Sequence, residues 1–577
     1  MLEKNNFRES FLNSAIVTSL FVAVSTEVLS LFYSLTHTSL VVSWSLYLLA
    51  VLAWKYRHIS NSQKADRAPT TTFQNILLAL LICVVGISGI TAVVAAPNNF
   101  DSLTYHLPRV MHWIQNKSVE HYPTHIDRQL VLAPFSEFVI MHLQILSGGD
   151  RCANCVQWFS MVGSAMGVSL IARILQGSLN CQIVSAAISV SIPMGLLQST
   201  STQNDYVVTF WLVCLTYFVI KTNECSGTKH ALLVGISLAL AIFTKGTGYL
   251  VAMPFTAIYL CRLIARGVKT ATANLLIVSI AILLVNSGHY ARNFTIYGNP
   301  ISPGTGNDII CTRVDVTSII SSVTKNIDTQ LTTGMQKADT MLAALTNAVH
   351  NSIAVDVSDP DLTADRGFSI LPAQVLNHED YAPNPLHMIF MLFSAATLAL
   401  LRKKYSRETI LFATATMLSF IVLSSAIKWN PFISRYFLPV FVLSAPFLGL
   451  LYDETRLHPF VNFCAAILLA SSFIALANNE MRPLVGSKSV FTTNRIDQYF
   501  MVNPQAKPYF FATATMITGQ PITNIGVLDR DNNMWEYLLW VLLKDNGVDY
   551  RVEHVNVTNY SGRINLNGFS KYFPVRI

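Results

Sequence analysis

The sequence predicts an all-α polytopic membrane protein, with about 11 to 13 transmembrane helices and a small α/β domain at its C-terminal end. Three observations predict it. Residues of the apolar set make up 52% of the 577-residue chain, mean hydropathy is +0.44, and only 12% of residues are charged, roughly half the share in a soluble protein. Apolar runs close to the ~20 residues needed to cross a bilayer recur along most of the length. Lys and Arg concentrate in alternate short connections between those runs. A cytosolic enzyme, a secreted disulfide scaffold and a disordered regulator are excluded. The net charge of +7 is modest and offers no nucleic-acid surface.

The apolar segments fall near 11–33, 38–55, 74–96, 153–175, 181–199, 205–220, 230–244, 247–264, 272–290, 386–401, 409–427, 434–452 and 459–477. The first is too long for a cleavable signal peptide and a second follows at once, so it reads as a signal anchor. Lys55, Arg57, Lys64 and Arg67, then Lys221 and Lys229, then Arg262, Arg266 and Lys269, then Arg402, Lys403, Lys404 and Arg407 share one side with Lys4 and Arg8. The positive-inside rule makes that side the cytoplasm. Residues 1–477 are thus expected to form the transmembrane domain, with outer loops at 97–152 and 291–385. Residues 478–577 are expected to form a periplasmic α/β domain.

In that tail, the apolar run Asn524–Leu528, the amphipathic stretch Trp535–Leu543 and the alternation Tyr550–Val555 predict strand, helix, strand. It contains no Gly-x-Gly-x-x-Gly, so nothing supports a nucleotide site. The 291–385 stretch carries helical periodicity from about Val316 to His350, then turns acidic at Asp356, Asp359, Asp361 and Asp365. That run and His378-Glu379-Asp380 could bind a metal, but plain loop polarity accounts for them. Cys83, Cys214, Cys261 and Cys464 lie in apolar segments as small hydrophobes. Cys152-Ala153-Asn154-Cys155 is a single CxxC, too little for zinc and, on one helical turn, a poor disulfide. Glu27, inside the first apolar segment, is either a functional carboxylate or a tie between helices.

The densest polar cluster begins where the third segment ends, at Asn98-Asn99-Phe100-Asp101 through Arg109. As a helix it puts Asp101, Tyr105 and Arg109 on one face at i, i+4 and i+8, with Pro108 able to kink it. Gln203-Asn204-Asp205 precedes the sixth segment, where Asp205 could simply be a cap. Lys245 interrupts two short apolar segments, Arg292 opens the second long loop, and Arg435-Tyr436 opens the twelfth segment. Singly, each cation suits an interfacial anchor. Together, Arg109, Lys245, Arg292 and Arg435 break the positive-inside trend on the side of Asp101, as an anionic ligand there would require.

The string Phe100–Arg109, the Gln203-Asn204-Asp205 turn, Thr244-Lys245, Arg292-Asn293 with Gly298-Asn299-Pro300, and Arg435-Tyr436 with Pro439 resemble the bacterial GT-C membrane glycosyltransferases. The resemblance is to the family 39 group that includes protein O-mannosyltransferases and lipid A aminoarabinose transferases. It implies a GT-C fold over roughly 11–477 and, by position, Asp101 as catalytic base. No domain inserted for protein substrates is recognisable.

The chemistry of the residues fits that implication. A sugar donor outside the cytoplasm has to arrive as a polyprenyl phosphate, whose leaving group needs no general acid, so one carboxylate suffices as base. Asp101 is assigned to the acceptor hydroxyl, with His106 or Arg109 orienting it. Lys245, Arg292 and Arg435 are assigned to the donor phosphate. Tyr105, Asn204, Asp205 and Tyr436 are assigned to substrate contacts. No metal or other cofactor is required. The expected protein is a lipid-phosphate-sugar-dependent glycosyltransferase of a bacterial inner membrane. Its expected partners are a polyprenyl-phosphate sugar, a lipid, glycan or protein acceptor, and membrane lipids. The alternatives are a transporter or lipid flippase, and a glycan-binding scaffold without activity.

Overall fold

The structure, a computed structural model, describes residues 7–57, 71–225, 227–301, 309–364, 367–369, 376–529, 533–544, 547–565, 569 and 572–576. Lys4, Lys64, Arg67 and Asp365 lie outside the described residues. Every apolar segment read from the sequence is helical, and among the described residues nine helices are long and apolar enough to span a bilayer. Segment 181–199 is split, because Pro193 cannot continue the Leu179–Val190 helix and instead starts a second helix, Pro193–Gln198.

Burial sorts these helices. In Asp205–Lys221 every residue but the last is buried, and apolar character all round is what a central helix needs. In His37–Arg57 only Leu40 is buried, while Leu46, Leu49, Leu52 and Trp54 are exposed, as on a helix whose solvent is lipid.

The three long polar stretches meet on one side of the bundle. The first contains the helix Leu107–Asn116 and an apolar helix, Phe135–Ser147, whose 13 residues are too few to span. The second contains Val316–Leu331 and Gln336–Ile353, separated at a left-handed Gly334. The tail adds a parallel sheet in the order β2-β1-β3, from β1 (Asn524–Leu528), β2 (Arg551–His554) and β3 (Phe573–Arg576), with the helix Glu536–Leu543 between β1 and β2.

The tail docks on the first loop through a buried carboxylate, Glu536. His112 Nε2 (2.7 Å) and Trp540 Nε1 (3.0 Å) donate to its Oε1, while Gln129 Nε2 (2.9 Å) and His554 Nε2 (3.1 Å) donate to its Oε2. His112, Glu536 and His554 also form the one group of three potential metal ligands among the described residues. However, the backbone N–H of His125 donates to His554 Nδ1 (3.3 Å), which puts the ring proton on Nε2, facing Glu536. That nitrogen is a hydrogen-bond donor rather than a metal ligand.

Candidate active site

Asp101 follows the Thr72–Val94 helix and leads into a π-helical turn, Ser102–His106, closed by the Leu107 N–H on Ser102 O. Asn99 braces the entry by accepting from Ser102 N (2.7 Å). The extra residue of a π turn changes the phase of the helix that follows. Tyr105 therefore still lies close enough to Asp101 to favour its ionised form, while Arg109 is carried off that face. Arg109 is fully buried, donates to the carbonyls of Gln129, Arg128 and Leu132, and lies 3.4 Å from Glu137. It folds the 128–132 segment back onto its helix and does not reach Asp101. His106 bonds Glu137 through Nδ1 (2.6 Å), and its ring lies against Tyr105.

Asp101 is held instead from the far end of the chain. The Ile433–Phe437 turn puts Arg435 just ahead of the Leu438–Leu451 helix, where Nη1 donates to Asp101 Oδ2 (2.6 Å) and to Asp380 Oδ1 (2.9 Å). A cation before a helix N-terminus opposes the dipole, and the two carboxylates offset it. The Nε of Arg435 is buried without a partner.

The Gln203-Asn204-Asp205 turn completes the wall. Gln203 donates to Asp380 (2.7 Å), Asn204 to the carbonyl of Thr244 (3.2 Å), and Asp205 accepts from Lys245 Nζ (2.5 Å). The Tyr436 ring lies between the two cations, 5.0 Å from Lys245 Nζ and 5.6 Å from the Arg435 guanidinium carbon. Asp101, Tyr105, Asn204, Asp205, Lys245, Arg435 and Tyr436 thus come together.

Arg292 does not join them. Both of its Nη atoms bond Glu27, at 2.8 and 2.7 Å, beside a separate cavity of about 440 Å³ lined also by Leu31, Glu120 and His121. A guanidinium facing a carboxylate with matching geometry closes on it before any other anion. Glu27 is thereby a tie between the first span and Val268–Tyr297.

The electrostatics split the two acids on Arg435. Burial opposes ionisation of Asp101, but the Arg435 guanidinium, helped by His106 and Tyr105, outweighs it and holds the carboxyl well below the usual range. For Asp380 burial wins over Arg435 and, with the negative charge of Asp101, raises the carboxyl above its ordinary value. Two carboxylates on one cation cannot both ionise freely.

Asp380, Gln203 and Arg482 were not singled out as site residues in the sequence. Glu379 forms a fully buried pair with Arg482 (2.8 Å), which also donates to Asn98 (2.7 Å), so this pair locks the Asp380 turn against the start of the Asp101 loop. The clue was the run His378-Glu379-Asp380, three ionisable residues just before an apolar segment. The acidic run is different. Arg313 pairs with Asp359 (3.0 Å) and Thr312 with Asp361, and among the described residues no three-ligand group forms there.

No protein-family model matches the chain, and no curated protein sequence does. Among solved structures it is similar to ArnT from Cupriavidus metallidurans bound to undecaprenyl phosphate, with a TM-score of 0.47 and 11% identity over 85% of this chain and 87% of that one. The apo crystal structure of the same protein gives a TM-score of 0.46 at the same identity and coverage.

Proposed function

We propose that this chain is a membrane glycosyltransferase of GT-C type that moves a sugar from a polyprenyl-phosphate donor to an envelope acceptor on the periplasmic face of a bacterial inner membrane. The observation that carries the reading is the buried Asp101–Arg435 pair with Lys245 beside it. It joins one ionised carboxylate to two cations that keep unused N–H donors.

Asp101 takes the proton of an acceptor hydroxyl as its oxygen bonds to the anomeric carbon, and the carbon–oxygen bond to phosphate breaks with its electron pair. Arg435 and Lys245 take up the charge that builds on the departing phosphate. The arrangement supports a trigger as well. While Arg435 sits on Asp101, the carboxylate is a poor base; an arriving phosphate that engages Nε and draws the guanidinium away raises Asp101's basicity only once donor is present. Ionisable groups gathered at one end of the bundle favour this reading over a transporter, whose charges belong near the midplane.

Asp101→Asn tests it. Purified variant is expected to release polyprenyl phosphate from a polyprenyl-phosphate sugar at least ~10²-fold more slowly while still binding the donor. A rate within tenfold of wild type removes Asp101 from the role of base. Mass spectrometry of envelope glycans with and without the gene names the sugar and the acceptor.

A further inference from the structure

A cavity of about 740 Å³ lies between the first long loop and the C-terminal segment, and Asp101 is not among its lining residues. Trp540, Tyr537 and Tyr499 wall it on one side, and residues 147–152 close it on the other. Cys152 is one of the wall residues and is half-buried.

The placement of the CxxC differs from one helical turn. Only Cys155 belongs to a helix, as the first residue of Cys155–Ile174, while Cys152 lies in the turn before it. The Cys155 N–H bonds the Cys152 carbonyl (3.1 Å), an i to i+3 turn. Such a turn brings its outer Cα atoms within about 7 Å, the separation a disulfide spans.

The turn is also pinned at both ends. Asn154 donates to the Ala95 carbonyl (3.0 Å), and Asp150 holds Arg495 (2.7 Å) and the hydroxyls of Tyr499 (2.5 Å) and Tyr537 (2.9 Å). A half-buried thiol in a cavity wall with a second, buried thiol three residues on in the same turn is an arrangement that suits dithiol–disulfide exchange.

We propose that Cys152 and Cys155 are a redox couple, closed to a disulfide in the compartment that the long loops face. The oxidant is a disulfide-bearing thiol carrier, small molecule or protein. The Cys152 thiolate attacks one sulfur of the carrier and expels the other as a thiol. The Cys155 thiol then loses its proton and attacks the Cys152 sulfur, expelling the second. Two protein thiols and one carrier disulfide become one protein disulfide and two carrier thiols. The closed form ties off the turn on which Asp150 anchors the C-terminal segment. The oxidising compartment rests on the proposed outward orientation of the loop; the couple itself rests on the turn.

Full-length protein in detergent, equilibrated with oxidised glutathione, is alkylated with and without prior reduction and mapped by mass spectrometry. The expected result is a Cys152–Cys155 peptide two hydrogens lighter and unalkylated until reduced, while the exposed Cys225 is recovered as a free thiol or a glutathione adduct and never with a loss of two hydrogens. Cys152→Ser should leave Cys155 alkylatable or carrying glutathione. Two freely alkylated thiols at 152 and 155 in the oxidised wild-type protein overturn the couple. In cells quenched with acid before lysis, the same light peptide is expected. Its absence there, with the bond forming in glutathione, overturns the oxidised state in the cell and with it the outward orientation, and leaves the glycosyltransferase assay as a separate question.

Discussion

Arg435 and Arg292 are both buried guanidiniums with carboxylate partners, yet their pairs are of opposite kinds. In one, a single Nη of Arg435 is divided between Asp101 and Asp380, which come from different loops. In the other, each Nη of Arg292 has its own oxygen of one carboxylate, Glu27. A divided cation can be drawn to a third anion while each acid keeps a neighbour that favours it: the nearby Tyr105 for Asp101 and the Gln203 amide for Asp380. A closed fork cannot be opened without giving up both of its charge-assisted hydrogen bonds at once. The first is built for exchange and the second for holding.

The largest effect should separate these two. Arg435→Lys is expected to lower transfer by ~10² or more, because a point charge replaces the fork that stabilises the leaving phosphate. Lys245→Ala should cost roughly tenfold in transfer. Arg292→Gln should change transfer less than about threefold but lower thermal stability by about 2 kcal/mol, with most of the loss recovered in the Glu27→Gln, Arg292→Gln double variant. Equal losses of transfer for Arg435→Lys and Arg292→Gln would erase the distinction.

A second contrast concerns the docking of the tail. Burial works against protonation of His112, but Glu536 overcomes it and raises the imidazole above its ordinary value; burial likewise opposes ionisation of Glu536, and His112 with His554 pulls it well below. The raised His112 contributes stability that is complete below pH ~6.5 and is lost as pH rises through its folded value. The depressed Glu536 contributes above pH ~4.3 and fades below. Protection of the tail from protease should therefore weaken as pH climbs above neutrality. In His112→Leu it should be lower by about 3 kcal/mol and lose that upper limb. A wild-type profile flat from pH 6 to 10 would mean His112 is not charged in the docked state.

The smallest effect sharpens the holding pair. A Cβ on Gly288 would meet the Glu27 carboxylate at 2.5 Å. Gly288→Ala should disturb the tie by about 1 kcal/mol and leave transfer unaltered. Loss of transfer in this variant would implicate the Arg292 cavity in the chemistry.

Helix positions were legible because hydropathy is a local property, and each apolar run needed only its own composition to become a helix. The helix Phe135–Ser147 escaped notice because it is apolar but short. At the site, Asp101, Lys245 and Arg435 were legible as costly charges beside apolar segments. Their partners were not. Asp205 facing Lys245 and Asp380 facing Arg435 are contacts across 40 and 55 residues, set by how helices pack. Arg109 misled because regular helical spacing puts it over Asp101, and nothing local in Ser102–His106 announces a π turn. Arg292 misled because side of the membrane was taken for proximity, and the acid that captures it, Glu27, is 265 residues away.

The Glu536 hub has a consequence for how the protein is made. His112 and its acceptor are separated by 424 residues. On the ribosome, the first long loop is complete when most of the chain has yet to be synthesised, and domains form largely in the order in which they emerge. Until Glu536 arrives, the His112 Nε2 lacks its carboxylate, while Gln129 is already held by Thr104, Tyr122 and Thr124 within the loop, so the packing around His112 is completed only after the last spans are in place. Chains truncated before the tail leave the His112 face of the first loop without the carboxylate that completes it.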